Sequence, residues 1–344
     1  MPPSQRLPNL VRLIDQENYF VIHAPRQTGK TTAMLTLAQE LTQQGTYAAV
    51  LLSVEVGAAF PQDPGMAEAA ILADWQQTAE FWLPPDLQPP PWPPSAPGQQ
   101  IGAALRLWAK ACPRPLVVFI DEVDALRDET LIALLRQLRS GYTLRPLGFP
   151  QSIALIGMRD VRDYKVAAGG SDRLSTASPF NIKVESLTLG NFSFAEVEEL
   201  YRQHTQATGQ VFTPAAIDHA FALTAGQPWL VNALARQATE VLAPDPTTPI
   251  TPAIIDQAKD ILINRQDTHL DSLAERLREE RVRAIIQPIL AGQELPQTPA
   301  DDLRYVLDLG LCSQDQRGGI QIANPIYREV IPTVLATNTI ASLT

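Results

Sequence analysis

The sequence has 344 residues, 45% of them hydrophobic and 19% charged, and 27 Lys and Arg against 37 Asp and Glu give a net charge of −10. That length allows two or three domains with sizeable cores, and the acidic balance disfavours a surface that grips nucleic acid nonspecifically, because such affinity comes from Lys and Arg neutralising phosphates. Cys112 and Cys312 are far apart and the four histidines are scattered, which argues against a disulfide framework or a zinc site. No long apolar run suggests a membrane span, so a cytoplasmic protein is expected.

The first element is the apolar run "YFVI", residues 19–22, which reads as a buried strand. It leads into "HAPRQTGKTT" and then the helical pattern "AMLTLAQEL". This is the phosphate-loop pattern G-x-x-x-x-G-K-[ST] with Ala24 where the first glycine belongs. Gly29, Lys30 and Thr31 are in register. In such a loop successive backbone N–H groups curl around the β-phosphate, and the helix adds its positive N-terminal end. Pro25, Arg26, Gln27, Thr28, Gly29, Lys30, Thr31 and Thr32 are therefore the candidate nucleotide-binding residues. Lys30 would reach the β- and γ-phosphates of ATP and the Thr31 hydroxyl would ligate Mg²⁺. Met34, Leu35, Ala38 and Leu41 are expected on one buried helical face, which Gly45 closes.

"YAAVLLSVEV" predicts a buried parallel strand, followed by the small-residue segment "GAAFPQDPGMAEAA" and a helix through "ILADWQQTAEFW". Eight prolines between Pro84 and Pro97 then predict an extended surface loop over 84–98, a spacer more than a docking site. After a helix at "IGAALRLWAKAC", the run "RPLVVFIDEVDAL" ends a strand in paired carboxylates, the Walker B pattern. At a strand's carboxyl end Asp121 would hold Mg²⁺ and Glu122 would orient and polarise the attacking water. "SIALIGM" predicts a further strand ending at Arg159 and Asp160. Arg159 is the candidate that senses the γ-phosphate, weighed evenly against an ion pair with a neighbouring carboxylate. "FNIKVESLTL" closes the core, with the ligand expected at the carboxyl ends of the strands.

After Gly190 four helical patterns follow, several opened by Ser, Thr or Thr-Pro in capping position. The last part reads helix, helix, hairpin with Gly318 and Gly319 at its turn, helix, consistent with a winged helix. The expected class is α/β: a P-loop core with a parallel sheet over 1–190, a helical lid over 191–265 and a winged-helix-like domain over 266–344.

With these motifs in place the chain resembles the P-loop ATPases of the AAA-like and STAND type, close to the prokaryotic AAA-like and archaeal ATPase families. The resemblance runs through "HAPRQTGKTT", "PLVVFIDEVDAL", "GMRDVRDYK", "SPFNIKVESL", "GQPWLVNALA" and "IANPIYREVIP". It implies that Gly226 and Pro228 approach the base of the nucleotide. It further implies a slow or partner-stimulated ATPase that acts as a switch on a protein partner, with nucleotide-dependent self-association left open. The alternative is a DNA-binding or DNA-loading ATPase related to origin-recognition or transposition regulators. "PADDLRYVLDLG" carries Asp301, Asp302 and Asp308 against Arg304, a poor match to a phosphate backbone. Ala24 departs from the pattern, no lid histidine is found, and Arg136, Arg139, Arg145, Arg162 and Arg173 are all candidates for a trans-acting arginine.

Overall fold

The computed structural model describes residues 6–7, 9–158, 183–265, 276–315 and 318–341. Contacts group them into two compact units. One holds everything described up to Leu189 except Pro25–Gly29, and the other holds that segment and the residues from Gly190 on.

In the first unit the strands β1 (Tyr19–His23), β2 (Ala48–Ser53), β3 (Leu116–Asp121), β4 (Ser152–Gly157) and β5 (Lys183–Thr188) form one sheet in the order β2-β3-β4-β1-β5. Every neighbouring pair is parallel. A parallel sheet is covered on both faces, so its strands read as continuous apolar runs, and all six residues of β3 are buried. Alternate side chains serve two cores. Val118 and Ile120 pack with the helices α3 (Pro64–Trp82), α4 (Gln100–Ala111) and α5 (Asp128–Gly141). Val117 and Phe119 pack with α1 (Leu10–Asp15) and α2 (Lys30–Gln43) on the other face.

Three expectations are corrected here. The small-residue segment before Ile71 is helical: α3 starts at Pro64, capped by the Asp63 side chain, which accepts the Met66 N–H, because Pro at the first helical turn and the run of alanines both favour helix. On α2 the core residue is Leu37, while Leu35 is only partly covered. The proline-rich loop is a fixed strap, not a spacer. The Trp92 indole donates to the Leu72 carbonyl at 2.8 Å and the Trp108 indole to the Leu87 carbonyl at 3.0 Å, while the two rings meet edge to face at 5.9 Å. The buried Glu68 carboxylate takes the Gly98 N–H on one oxygen and the Gln137 amide on the other, which satisfies a group whose burial is otherwise costly.

The second unit contains α6 (Phe194–Thr208), α7 (Pro214–Thr224), α8 (Pro228–Arg236), α9 (Pro252–Arg265), α10 (Glu280–Leu290), α11 (Ala300–Asp308), the antiparallel strands β6 (Cys312–Gln314) and β7 (Ile320–Ile322), and α12 (Pro325–Ala341). Ser193 and Glu196 form a reciprocal capping box at the start of α6. One hydrophobic cluster runs from Val197 to Val334. From α10 on, the order is helix, helix, hairpin, helix, with Gly318 at φ +82° in the hairpin turn.

Glu279 joins the elements of this C-terminal part. Its carboxylate accepts the Tyr305 hydroxyl at 2.8 Å, Arg276 at 3.0 Å and Arg281 at 2.8 Å, and the Arg281 guanidinium lies over the Tyr305 ring at 3.6 Å. Burial pushes the Glu279 pKa up, but hydrogen bonds from Tyr305, Arg281 and Arg276 outweigh it and the net shift is down. A depressed folded-state pKa contributes stability above the unfolded value near 4.3, lost as pH falls through the folded one. Glu279→Gln should therefore cost about 1 kcal/mol at pH 7, discounted for partial exposure. The deficit should vanish in acid, as read from urea unfolding of both proteins at pH 7 and pH 3.

Candidate nucleotide site

β1 delivers the loop and β3 delivers the acids, since the carboxyl ends of parallel strands point the same way. The segment Pro25–Gly29 turns between β1 and α2, with Gln27 at φ +59° and Gly29 at φ +84°. Gly29 has open space where a Cβ would stand; its need for glycine is therefore conformational. The Thr28 hydroxyl donates to the Pro25 carbonyl at 3.0 Å and closes the turn, with Thr28 buried and Arg26 and Gln27 exposed. Lys30 opens α2 and its ammonium donates to the Ala24 carbonyl at 2.8 Å. Ala24 is buried, which fits a small residue at the end of a packed strand.

The decisive contact runs from the first turn of α2 to the acids. The Thr31 hydroxyl donates to Asp121 Oδ2 at 2.6 Å. The other oxygen of Asp121 accepts the Glu122 N–H at 2.9 Å, and Asp121 is only 4% exposed. Two hard oxygen donors so placed fit Mg²⁺. Glu122 itself has φ 59° and ψ 35°, the left-handed region. Such a conformation in a residue with a side chain costs about 1–3 kcal/mol and concentrates at functional sites. Partial withdrawal from water raises the Glu122 pKa, the neighbouring carboxylates of Asp124 and Asp121 raise it further, and Lys30 opposes them.

Asp124 was missed by the sequence reading. Its carboxylate accepts the Met158 N–H at 3.1 Å, so the turn after the acids holds the end of β4, the strand that leads to Arg159. The signal for it was the third acid of "DEVD". Arg159, like Arg162 and Arg173, lies outside the described residues. Arg145 is taken by structural work: it stacks on Tyr142 at 3.5 Å, lies 4.9 Å from the Tyr19 ring, and donates to the carbonyls of Tyr142 and Glu17. That removes it from the candidates for a trans-acting arginine. Arg136 and Arg139 are exposed on α5.

Gly226 and Pro228 belong to the second unit, and both are buried. A Cβ on Gly226, at φ +71°, would stand 1.9 Å from the Phe192 carbonyl oxygen, and the Gly226 carbonyl accepts the Phe192 N–H at 2.8 Å. Gln227 caps α8 through its side chain, which accepts the Leu230 N–H, and Pro228 is the first helical residue. "GQP" therefore has a local architectural reason, whatever else it touches.

Among solved structures, the Walker-type ATPase PABY2304 of Pyrococcus abyssi is similar over 96% of this chain and 95% of its own, with 13% identity and a TM-score of 0.64. The chain has the P-loop ATPase fold. The Aeropyrum pernix ORC2 protein, solved in ADPNP-ADP complexes, is similar over 98% of this chain and 93% of its own, with 14% identity and a TM-score of 0.57. No protein-family model and no curated protein matches the sequence. Lys30 and Thr31 open the helix that follows β1, and Asp121 and Glu122 stand at the carboxyl end of β3, one strand away across β4. Among the described residues no group of three or more His, Cys, Asp or Glu side chains is placed to hold a metal ion, and no helix is long and apolar enough to cross a membrane.

Proposed function

We propose that the chain binds ATP with Mg²⁺, hydrolyses it slowly or on stimulation, and acts as a switch on a protein partner, as an AAA-like or STAND-type ATPase. The observation that carries this reading is the 2.6 Å hydrogen bond between Thr31 and Asp121. It joins the first turn of α2, directly after the loop, to the acidic strand end, next to a Glu122 held in a left-handed backbone. The likeness in fold to a Walker-type ATPase supports it.

In this reading Thr31 and Asp121 hold Mg²⁺, which would neutralise charge on the phosphate oxygens. The loop amides and Lys30 bind and orient the triphosphate, and Glu122 takes hydrogen bonds from the attacking water. Arg159 registers the γ-phosphate, and the second unit contacts the base around Gly226 and Pro228, its C-terminal part acting as a winged-helix-like reporter. A ligand shifts a conformational equilibrium only by its differential affinity, and ADP lacks the γ-phosphate that Arg159 and Glu122 would register. A DNA-directed role is disfavoured by Asp301 and Asp302 in the first turn of α11 and by the net charge.

The test is hydrogen exchange on residues 220–232 and 299–315 with a slowly hydrolysed ATP analogue, with ADP and with no ligand. Protection that differs between the two nucleotides is expected. Identical exchange in all three states would leave a static nucleotide-binding protein.

A further inference from the structure

The free edge of the sheet carries a feature separate from the phosphate loop. Among the described residues β2 pairs only with β3. The N–H groups of Ala48 and Val54 bond to the carbonyls of Pro115 and Asp121 on the β3 side, so by alternation the backbone groups of Ala49, Leu51 and Ser53 face outward. Side chains cap two of these three positions. The Thr42 hydroxyl accepts the Ala49 N–H at 2.9 Å and donates to the Ala49 carbonyl at 3.0 Å. The Trp75 indole donates to the Ser53 carbonyl at 2.7 Å.

Leu51, between them, has no such cap. It opens on a cleft of about 230 Å³ whose lining includes Leu35 and Gln39 of α2, Trp82 and Pro84 at the end of α3, and Arg114. This is where the off-core Leu35 goes. Trp82 is 41% exposed and Phe81 beside it 78%, a concentration of aromatic surface that marks interaction sites. Arg114 is the one charged residue in that lining. Its guanidinium donates to the Thr42 carbonyl at 3.1 Å, which fixes it at the Ala49 end of the cleft.

We propose that this cleft docks one extended peptide segment of a partner protein, which adds a single antiparallel rung at Leu51. One peptide residue then supplies both an acceptor and a donor to Leu51. An apolar side chain enters between Leu35 and Trp82, and a carboxylate pairs with Arg114. A small apolar ligand would fill the cleft and leave the Leu51 amide unanswered, and an anionic group suits the one cation in an otherwise apolar and amide lining. The inference names a class of partner for the proposed switch but rests on none of the nucleotide-site residues.

The experiment is selection of displayed twelve-residue random peptides on the full chain, followed by fluorescence anisotropy of the enriched peptides. Enriched sequences should share an apolar residue with an Asp or Glu within three positions. Affinity should fall at least about tenfold in Arg114→Gln, which loses one charge-assisted hydrogen bond, and in Leu51→Pro, which loses one backbone hydrogen bond and leaves the bound peptide's carbonyl unsatisfied. Proline at 51 removes the outward N–H and replaces a side chain that packs on the α2 face of the sheet, while sparing the N–H groups that face β3; thermal unfolding checks the fold, and Trp82→Ala serves if that variant fails to fold. ATP affinity should be unchanged in all variants, so a failed nucleotide reading and a failed docking reading give different results. No enrichment over Arg114→Gln, or peptides that bind every folded variant as tightly as wild type, would overturn the proposal. So would a concentration-dependent dimer that Arg114→Gln dissolves, since the cleft would then belong to a second copy.

Discussion

Replacing Lys30 with Ala is expected to weaken ATP binding by about 3–4 kcal/mol, the worth of two charge-assisted hydrogen bonds to phosphate. That is on the order of 10²–10³ in Kd. The loop amides and the start of α2 remain, so residual binding should persist and depend little on the γ-phosphate. In the present geometry the ammonium donates to the Ala24 carbonyl. That bond holds the side chain beside the loop and, in the proposed reading, would be exchanged for phosphate oxygens on nucleotide binding. Its loss in the variant leaves the carbonyl of the buried Ala24 without that donor, a cost of about 1–3 kcal/mol, and thermal unfolding checks that the fold survives. Titration calorimetry with ATP and Mg²⁺ decides the matter. Equal affinities in variant and wild type would remove the phosphate-loop assignment altogether.

What the sequence could and could not show follows from how local each signal is. The strand, loop and helix around Gly29 and Lys30 were legible because glycine, lysine and threonine at fixed spacing form a pattern complete within ten residues. The acidic strand end was legible for the same reason. That Thr31 and Asp121 touch needs the sheet order, in which β4 lies between β1 and β3, and no local pattern specifies that. The left-handed backbone at Glu122 was invisible, since glutamate is not a residue that announces a positive φ. The proline loop misled because composition records that prolines cannot enter a helix or sheet interior, whereas the strap is fixed by its own Trp92 indole, by the Trp108 indole of α4 and by the buried Glu68 carboxylate of α3. Leu35 misled in the opposite direction: its spacing fits the buried face of α2, but among the described residues β2 is the edge of the sheet, and beyond that edge the side chain is only partly covered.

Glu122→Gln is expected to bind ATP as wild type does, within about threefold, and to turn it over on the order of 10²–10³ more slowly, the usual worth of a positioned acid or base. The amide preserves the length and shape of the side chain and pays the same backbone strain at φ 59°, so the turn that also carries Asp124 and holds Met158 should be undisturbed. What it loses is the ability to accept a proton from, or polarise, the attacking water. It also removes one negative charge from a cluster in which Asp121 and Asp124 already raise the Glu122 pKa, so any change in affinity for the anionic nucleotide should be toward tighter binding. Asp121→Ala should behave in the opposite way. It deletes the oxygen that accepts the Thr31 hydroxyl, and it should weaken Mg²⁺-dependent ATP binding while leaving the Mg²⁺-free affinity close to wild type. Phosphate release at saturating ATP, together with nucleotide titrations with and without Mg²⁺, separates the two roles. Wild-type turnover in both variants would mean that the acids at the end of β3 are not the pair that does the chemistry.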